Sequence, residues 1–191
     1  TIGKRCGERE MKQINGLKVN DYKKRIVNIS VSTSSLRNQG GKGLIKKTRK
    51  FLIKTDLAKF CKGENQFKNC LGNETKRLTN NVKIKFGAAR KSINIFLLQS
   101  SLDRVLSKYY NLGKILKYLE LPLDSYTIKH LEKEAKKRKY IKYKLPRWDG
   151  IRNLEEKSNV LLQKFALKLA KDKGIPRAYL DLIYWRKSIN K

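Results

Sequence analysis

The excess of positive charge constrains this chain more than any other feature of its sequence. Lysine and arginine number 47 against 16 aspartate and glutamate residues, which gives a formal net charge of +31 over 191 residues. A compact body with this much charge of one sign repels itself, and its stability falls unless a polyanion or counterions neutralise the charge. Phosphate backbones do this and release their own condensed counterions on binding. The composition therefore predicts a nucleic-acid partner.

The rest of the composition narrows the class of protein. Apolar residues make up 39% of the chain, enough for the core of one domain with an appendage. No stretch approaches the roughly 18 consecutive apolar residues of a membrane-spanning helix, so we expect no membrane partner. The coding bias of an AT-rich genome is the alternative explanation of the lysine content, although it need not make acidic residues scarce.

Cysteine and histidine are too few for most metal and triad chemistry. Cys6, Cys61 and Cys70 include no CxxC pair, and His130 is the single histidine. A disulfide framework, a zinc centre and a Ser–His triad are therefore not expected, and we predict no metal and no cofactor. Free thiols fit a reducing compartment, which predicts an intracellular location (nucleoid, nucleus or organelle matrix) and not secretion.

The pattern of residues changes near residue 43. Residues 1–43 combine basic side chains with a β-prone run, Ile26 to Val31, and with Gly40-Gly41-Lys42-Gly43. The glycine stretch lacks the spacing of a phosphate-binding loop, which favours a flexible linker. We predict a basic, partly irregular N-terminal appendage here. Beyond it, helical spacing of apolar residues predicts a mainly α fold, a single orthogonal helical domain over 44–191, with a central buried helix at 88–110.

Two short segments contain residues that could carry chemistry. The first is Lys85-Phe86-Gly87-Ala88-Ala89-Arg90-Lys91-Ser92-Ile93-Asn94. A turn rich in Gly and Ala lets backbone N–H groups approach a phosphate, and the positive end of the next helix points there. We predict Lys91 in the first turn of that helix, where the dipole and neighbouring Arg90 make its amine easier to deprotonate, as a nucleophile requires. The second segment is Leu121 to Thr127, in which Asp124 starts a helix and, taken alone, is typical of an N-cap.

Together the two segments resemble the helix-hairpin-helix DNA glycosylase superfamily, and most closely its endonuclease III branch. That family has a hairpin of the form G-V-G-R-K-T-A-N, followed about twenty residues later by V-D-T-H at the start of a helix. Gly87-Ala88-Ala89-Arg90-Lys91-Ser92-Ile93-Asn94 matches its Gly, Arg, Lys and Asn in register, and Pro122-Leu123-Asp124-Ser125-Tyr126 stands at the second motif. The resemblance covers about residues 85–130. Ala89 replaces the second glycine, the family's four-cysteine cluster is missing, and 33 residues separate Lys91 from Asp124, which requires an inserted helix at about 102–119.

The resemblance implies a helix-hairpin-helix element and a role for each matched residue. Lys91 would be the amine that attacks C1′ of a damaged nucleotide and forms a Schiff base. Asp124 would be the carboxylate that activates the attack or stabilises the positive sugar. The backbone of Gly87, Ala88 and Ala89, next to Arg90, would hold a phosphate of the damaged strand.

A third candidate surface lies between Lys133 and Trp148, where cations alternate with aromatic rings. Aromatic faces can stack on exposed bases while cations follow the backbone, whereas a solvated loop is the alternative. The residues predicted to contact nucleic acid here are Lys136, Lys137, Arg138, Lys139, Tyr140, Lys142, Tyr143, Lys144, Arg147 and Trp148. Near the C-terminus, Asp181 is either a second carboxylate near a pocket or the partner of an arginine, Trp185 is predicted in the core, and His130 on the surface or in packing.

Two functions follow from these observations. The leading hypothesis is a DNA glycosylase with AP-lyase activity that acts on damaged DNA through Lys91. The alternative is a non-catalytic RNA-binding protein, ribosomal and in an organelle, as a subunit of a ribonucleoprotein assembly. DNA is the favoured partner and RNA the second. A nuclease or recombinase is disfavoured because the sequence shows no clustered carboxylates for two metals.

Overall fold

Helices dominate the computed structural model, which describes residues 19–32, 36 and 39–189 and contains no strand among them. The eight α-helices of this part are α1 Val19–Ser30, α2 Leu44–Lys54, α3 Glu64–Val82, α4 Phe86–Leu102, α5 Arg104–Tyr110, α6 Ser125–Ala135, α7 Glu156–Asp172 and α8 Tyr179–Ile189. Short 3-10 turns lie at Leu57–Cys61, Leu112–Ile115, Arg138–Tyr140 and Ile151–Asn153. The predicted mainly α fold is confirmed. Within the described ranges, no helix has the length and apolar character that crossing a bilayer requires.

The N-terminal part of the chain differs from the β-prone interpretation of Ile26 to Val31. That interpretation is wrong, because all but the last of these residues lie in helix α1, which packs on α2 and α4. Ile26 and Val27 are buried in the same cluster as residues of α2 to α5. β-Branched side chains disfavour a helix only weakly, so burial of one helical face overrides them. Gly43 has φ 84° and ends the predicted linker as the N-cap of α2. Residues 1–18, with Cys6, lie outside the described residues.

Helix α4 is central, as its apolar breadth predicts. The consecutive residues Phe96, Leu97 and Leu98 point about 100° apart around the helix, and all three are buried. The helix ends at Leu102 instead of continuing to 110, because Asp103 caps a new one. Its Oδ1 accepts hydrogen bonds from the backbone N–H groups of α5's first turn at 3.0 and 2.9 Å. Helix α5 and the following 3-10 turn occupy the predicted insertion at 102–119.

Two hydrophobic clusters share the molecule. The N-terminal cluster is built mainly from α1 to α5, and the C-terminal cluster mainly from α6, α7 and α8. Residues 118–123, here called the strap, connect them and carry Leu119 in the first cluster and Leu121 in the second. Arg177 donates hydrogen bonds to the backbone oxygens of Leu119 and Tyr118 at 3.1 Å each, which fixes the start of the strap. The strap leads directly into Asp124, the N-cap of α6.

Candidate functional site

The N-terminus of α6 positions the first candidate residue, Asp124. Its extended backbone (φ −152°, ψ 177°) makes it the N-cap, and its Oδ1 accepts a hydrogen bond from the N–H of Thr127 at 2.9 Å. Thr127 Oγ1 accepts in return from the N–H of Asp124 at 2.9 Å, which completes a capping box. The carboxylate is therefore held at a defined point, with Oδ2 directed away from the helix's own backbone contacts.

Lys91 is the hydrogen-bond partner of Asp124 Oδ2. Its Nζ donates a hydrogen bond to Asp124 Oδ2 at 3.1 Å, although 33 residues separate the two. The side chains retain 12% and 28% of their exposure, so the pair is partly open to solvent. The predicted first-turn position is wrong, because α4 begins at Phe86 and Lys91 is its sixth residue, in the second turn. The structure thus joins the two segments that carry the family resemblance.

A second carboxylate, that of Asp181, is influenced by the charges of this pair. Asp181, in the first turn of α8, is half-buried, and its pKa is raised to about 6. Burial is the main cause, the charge of Asp124 adds to it, and the charge of Lys91 opposes it. No arginine side chain within the described residues pairs with Asp181. Its interpretation as a second carboxylate near a pocket stays a prediction.

The start of α4 packs against protein, which differs from the predicted phosphate contact of Gly87, Ala88 and Ala89. All three residues are buried, and a Cβ at Gly87 would lie 2.2 Å from the backbone oxygen of Ile151. The 3-10 turn at Ile151–Asn153 therefore covers this end of the helix. Backbone groups covered by protein cannot approach a phosphate in this arrangement.

Arg90, predicted to contact nucleic acid, is engaged inside the protein. Its Nε and Nη2 donate a bidentate pair of hydrogen bonds to Glu120 at 2.8 Å each, and both side chains are 13% exposed. Burial by itself would raise the pKa of Glu120. Hydrogen bonds and charge from Arg90, aided by Arg177 and Asn94, outweigh burial and lower it. Glu120 therefore neutralises the positive charge of Arg90, which was expected from the sequence to act on Lys91.

The basic run between Lys133 and Trp148 separates into buried rings and exposed cations. Tyr140 is buried, its Oη donates to Asp172 at 2.6 Å, and both Tyr140 and Tyr143 pack on Phe165. The predicted stacking of Tyr140 on bases is therefore wrong for this conformation, because the ring belongs to the core. The exposed cations of the run are Lys136, Lys137, Arg138, Lys139, Lys142, Lys144 and Arg147, of which Lys137 pairs with Glu134 and Lys139 with Asp172.

Aromatic side chains surround the start of α6. Trp148 Nε1 donates to Ser125 Oγ at 3.3 Å, and the ring of Tyr126 lies 6.2 Å from that of Trp185. The predicted core position of Trp185 is wrong, since 56% of the residue is exposed. The packing role of His130 is confirmed by its ring, which stacks on Tyr184 with centroids 4.5 Å apart. Of these rings, Tyr126 and Trp148 are half-buried and Trp185 is exposed.

Sequence reasoning missed the residues that hold the site together. Glu120, Gln163 and Arg177 fix the strap, yet none of them belongs to a motif or to a periodic pattern. The one signal was the acid Glu120 between apolar residues, because a buried carboxylate needs a positive partner. Within the described residues, no three His, Cys, Asp or Glu side chains are grouped so as to hold a metal ion.

Comparison with known proteins gives no relative. No family model, no curated protein and no solved structure matches this chain. Functional inference therefore depends on the site itself, in which the partly exposed amine of Lys91 contacts the carboxylate of Asp124.

Proposed function

We propose that this protein binds nucleic acid and acts on damaged DNA as a DNA glycosylase with AP-lyase activity, with Lys91 as the nucleophile. The observation that supports this proposal is the contact of Lys91 Nζ with Asp124 Oδ2 at 3.1 Å. An amine and a carboxylate brought together from distant segments, and left partly exposed, suit attack on a sugar carbon better than an ordinary surface ion pair does.

The chemistry needs the neutral amine of Lys91. Its lone pair attacks C1′ of the damaged nucleotide, the glycosidic C–N bond breaks, and the base leaves with the bonding electrons and then takes up a proton. Opening of the sugar ring gives a protonated imine between Lys91 and C1′. Loss of a C2′ proton then expels the 3′-phosphate by β-elimination, and water hydrolyses the imine to restore the amine. The carboxylate of Asp124 would stabilise the positive charge that develops on the sugar.

Exposed cations near the pair would bind the backbone on either side of the damaged nucleotide. The chain from Trp148 to Ile151 runs from the start of α6 to the start of α4, because Trp148 contacts Ser125 and Ile151 covers Gly87. Arg147 and Arg152 flank this segment and are exposed. Phosphate contacts there would place an extruded nucleotide between the two helix starts, where Lys91 and Asp124 meet.

Borohydride trapping on DNA with an abasic site tests the proposal. We expect wild-type protein to form a covalent adduct, because borohydride reduces the imine to a stable amine. Lys91→Ala should abolish the adduct and keep the dissociation constant for the same DNA within about threefold, since Lys91 is one of 47 cations and is assigned to the sugar and not to a phosphate. Lys129→Ala, which removes an exposed lysine of α6, is the matched control and should trap like wild type. Wild-type protein that binds but never traps would overturn the proposal.

The second candidate is the non-catalytic RNA-binding protein. The observation that favours it is the division of the basic run, in which Tyr140 is buried while the cations around it are exposed. Such a surface suits phosphate contact without base readout, as in structured RNA. Competition between structured RNA and abasic duplex DNA at physiological salt separates the two candidates. Preference for RNA together with absence of trapping would favour the second.

A further inference from the structure

A groove lies between helices α3 and α7, and its volume is about 760 Å³. Phe67, Leu71 and Gly72 of α3 line it, as do Val160 and Leu167 of α7. Helix α3 belongs mainly to the N-terminal cluster and α7 to the C-terminal cluster. Clefts of this size between two packed units commonly bind ligands.

The surface of the groove is partly apolar and partly open. Val160 is 58% exposed, and Leu167 and Tyr118 are half-buried. On α3, Gly72 has no side chain, and among the described residues nothing lies within 4 Å of the position that a Cβ would take. The groove is therefore free beside α3, and a ligand with flat apolar parts can pack against its walls.

Three lysines add positive charge to this groove. Lys164 and Lys171 are two turns apart on α7, so they share one face of the helix, and both are exposed. Lys117 is exposed as well, and its Nζ lies 5.0 Å from the ring centre of Tyr118. Among the described residues, none of the three lysines forms an ion pair. Their charges are therefore available to an anion.

Two arginines that line the same groove share one carboxylate. Arg90 binds Glu120 through two hydrogen bonds of 2.8 Å. Within the described part of the chain, the hydrogen bonds of Arg177 go only to the backbone oxygens of Leu119, Tyr118 and Gln163. The two half-buried guanidinium groups thus leave a net positive charge beside Glu120. A charge partly removed from water is stabilised by an anion brought close to it.

The two remaining acids of the groove do not balance this charge. Glu64 pairs with Lys68 at 2.6 Å. Glu156 is the first residue of α7, where the dipole of the helix stabilises a carboxylate. The groove therefore combines apolar walls with cations that lack a partner.

We propose that this groove binds a single strand of nucleic acid, with its phosphates at Lys117, Lys164 and Lys171 and its bases against the apolar walls. Cations beside apolar surface along a groove suit a strand whose bases are free of a partner strand. The inference rests on the nucleic-acid-binding part of the proposed function and is independent of the lyase step. Arg90 precedes Lys91 on α4, so groove and amine occupy adjoining faces of one helix.

Duplex DNA and an acidic protein helix fit the groove less well. The paired bases of a duplex are turned towards each other and cannot pack against Val160 and Leu167, whereas unstacked bases can. An amphipathic helix would press its apolar face into the groove and exclude water from the excess charge at Arg90 and Arg177. A phosphate brings a negative charge to the same place.

Binding of oligothymidylate, measured by fluorescence anisotropy at several salt concentrations, tests the inference. Lys164→Gln combined with Lys171→Gln should weaken binding of a strand of about 15 nucleotides about tenfold at physiological salt. The slope of log K against log salt should become shallower by about 1.4, because each phosphate contact of a single strand contributes about 0.7. Lys47→Gln combined with Lys50→Gln removes the same charge from exposed positions of α2 and should keep the wild-type slope. Equal slopes for all three proteins would overturn the inference.

Gly72→Phe tests the groove without a change of charge. The ring should occupy the free space beside α3 and weaken oligothymidylate binding about tenfold, the effect of losing one packed base. Gly72→Ala, whose methyl group leaves most of that space free, should bind like wild type. Both variants should keep α3, since alanine and phenylalanine favour a helix more than glycine does, and circular dichroism checks this. Unchanged affinity of Gly72→Phe would contradict a path of the bases through the groove.

Acetylation of lysines with a limiting amount of reagent, followed by mass spectrometry, identifies the occupant in the unaltered protein. Oligothymidylate should slow the acetylation of Lys164 and Lys171 and leave that of Lys47 unchanged. Pyrophosphate and polyglutamate, added at the same total negative charge, should protect the two lysines much less. Equal protection by pyrophosphate would assign the groove to free phosphate, and equal protection by polyglutamate would assign it to acidic chains in general. Either result would overturn the inference.

These results are distinguishable from the fate of the proposed lyase. If wild type traps abasic DNA while the groove variants bind oligothymidylate as wild type does, the groove inference is wrong and the lyase stands. If the groove variants lose affinity and wild type never traps, the groove stands without the lyase. Wild-type protein that binds neither DNA nor RNA at low salt would overturn both.

Discussion

Gln163 on α7 holds the backbone of Leu121 from both sides. Its Nε2 donates to the carbonyl oxygen of Leu121 at 2.8 Å, and its Oε1 accepts from the N–H of the same residue at 3.0 Å. Both residues are buried, so a single side chain replaces the two water contacts that the strap would otherwise need. Asp124 lies three residues further along, and its position depends on this contact.

Replacing Gln163 by Met should therefore destabilise the protein more than its size suggests. The change leaves one buried N–H and one buried C=O without partners, at a cost of about 2 to 4 kcal/mol in the free energy of unfolding. Urea unfolding followed by circular dichroism measures this loss. Gln66→Met on the exposed face of α3 is the matched control and should stay within about 0.5 kcal/mol of wild type. Equal effects of the two changes would contradict the role given to the contact between Gln163 and Leu121.

Asp124→Asn separates chemistry from folding. Asparagine is as good an N-cap as aspartate, so the free energy of unfolding should change by no more than about 1 kcal/mol. The negative charge beside Lys91 is lost, however, and borohydride trapping should fall by about 100-fold or more. Asp103→Asn, which alters the cap of α5 in the same way, should leave trapping unchanged. A fully active Asp124→Asn protein would remove the carboxylate from the mechanism.

Glu120 should make stability depend on pH in the acid range. Its folded pKa lies below the ordinary value of 4.5, so it contributes stability above that pH and loses the contribution as the pH falls through the folded pKa. Glu120→Gln leaves Arg90 without a counter-charge and should cost about 3 kcal/mol at pH 7. The difference from wild type should shrink below pH 4.5 in urea unfolding. Glu64→Gln, which removes an exposed partner of Lys68, should leave the free energy of unfolding nearly unchanged.

Gly87 and Gly72 offer an opposed pair of alanine substitutions. A Cβ at Gly87 would meet the backbone oxygen of Ile151 at 2.2 Å and Leu154 Cβ at 2.9 Å, so Gly87→Ala must displace that turn and should cost about 1 to 3 kcal/mol. At Gly72, in α3, nothing lies within 4 Å, and alanine should stabilise by about 0.5 to 1 kcal/mol through its helix propensity. Thermal unfolding of both variants measures the signs. If both variants change the thermal stability in the same direction, the close packing of Gly87 against Ile151 is contradicted.

The helices could be predicted from the sequence because they depend on local signals. The apolar breadth around Phe96 indicated the buried helix α4, and the two short motifs indicated Lys91 and Asp124. Their contact at 3.1 Å could not be derived from the residues alone, since the intervening 33 residues had to fold back through the strap. Helix α1 was missed because the β-branched run around Ile26 carries no sign of the surface that buries it.

Sequence patterns failed most where burial decides between two uses of one residue type. Tyr140 and Trp185 both stand next to cations, yet the first packs on Phe165 and the second is 56% exposed. The sequence predicts the opposite for each residue, with Tyr140 stacking on bases and Trp185 in the core, and only the arrangement of α6, α7 and α8 decides their burial. Arg90 is a further example, because its charge is neutralised by Glu120, which lies 30 residues away in the sequence.

The two hydrophobic clusters give the candidate site an unusual dependence. Lys91 is carried by α4 of the N-terminal cluster, whereas Asp124 and Asp181 are carried by helices of the C-terminal cluster. The contact between Lys91 and Asp124 therefore crosses the boundary between the two clusters. It forms only while the two clusters stay packed against each other. Mild heating that separates the two clusters should break this contact before the helices of either cluster unfold.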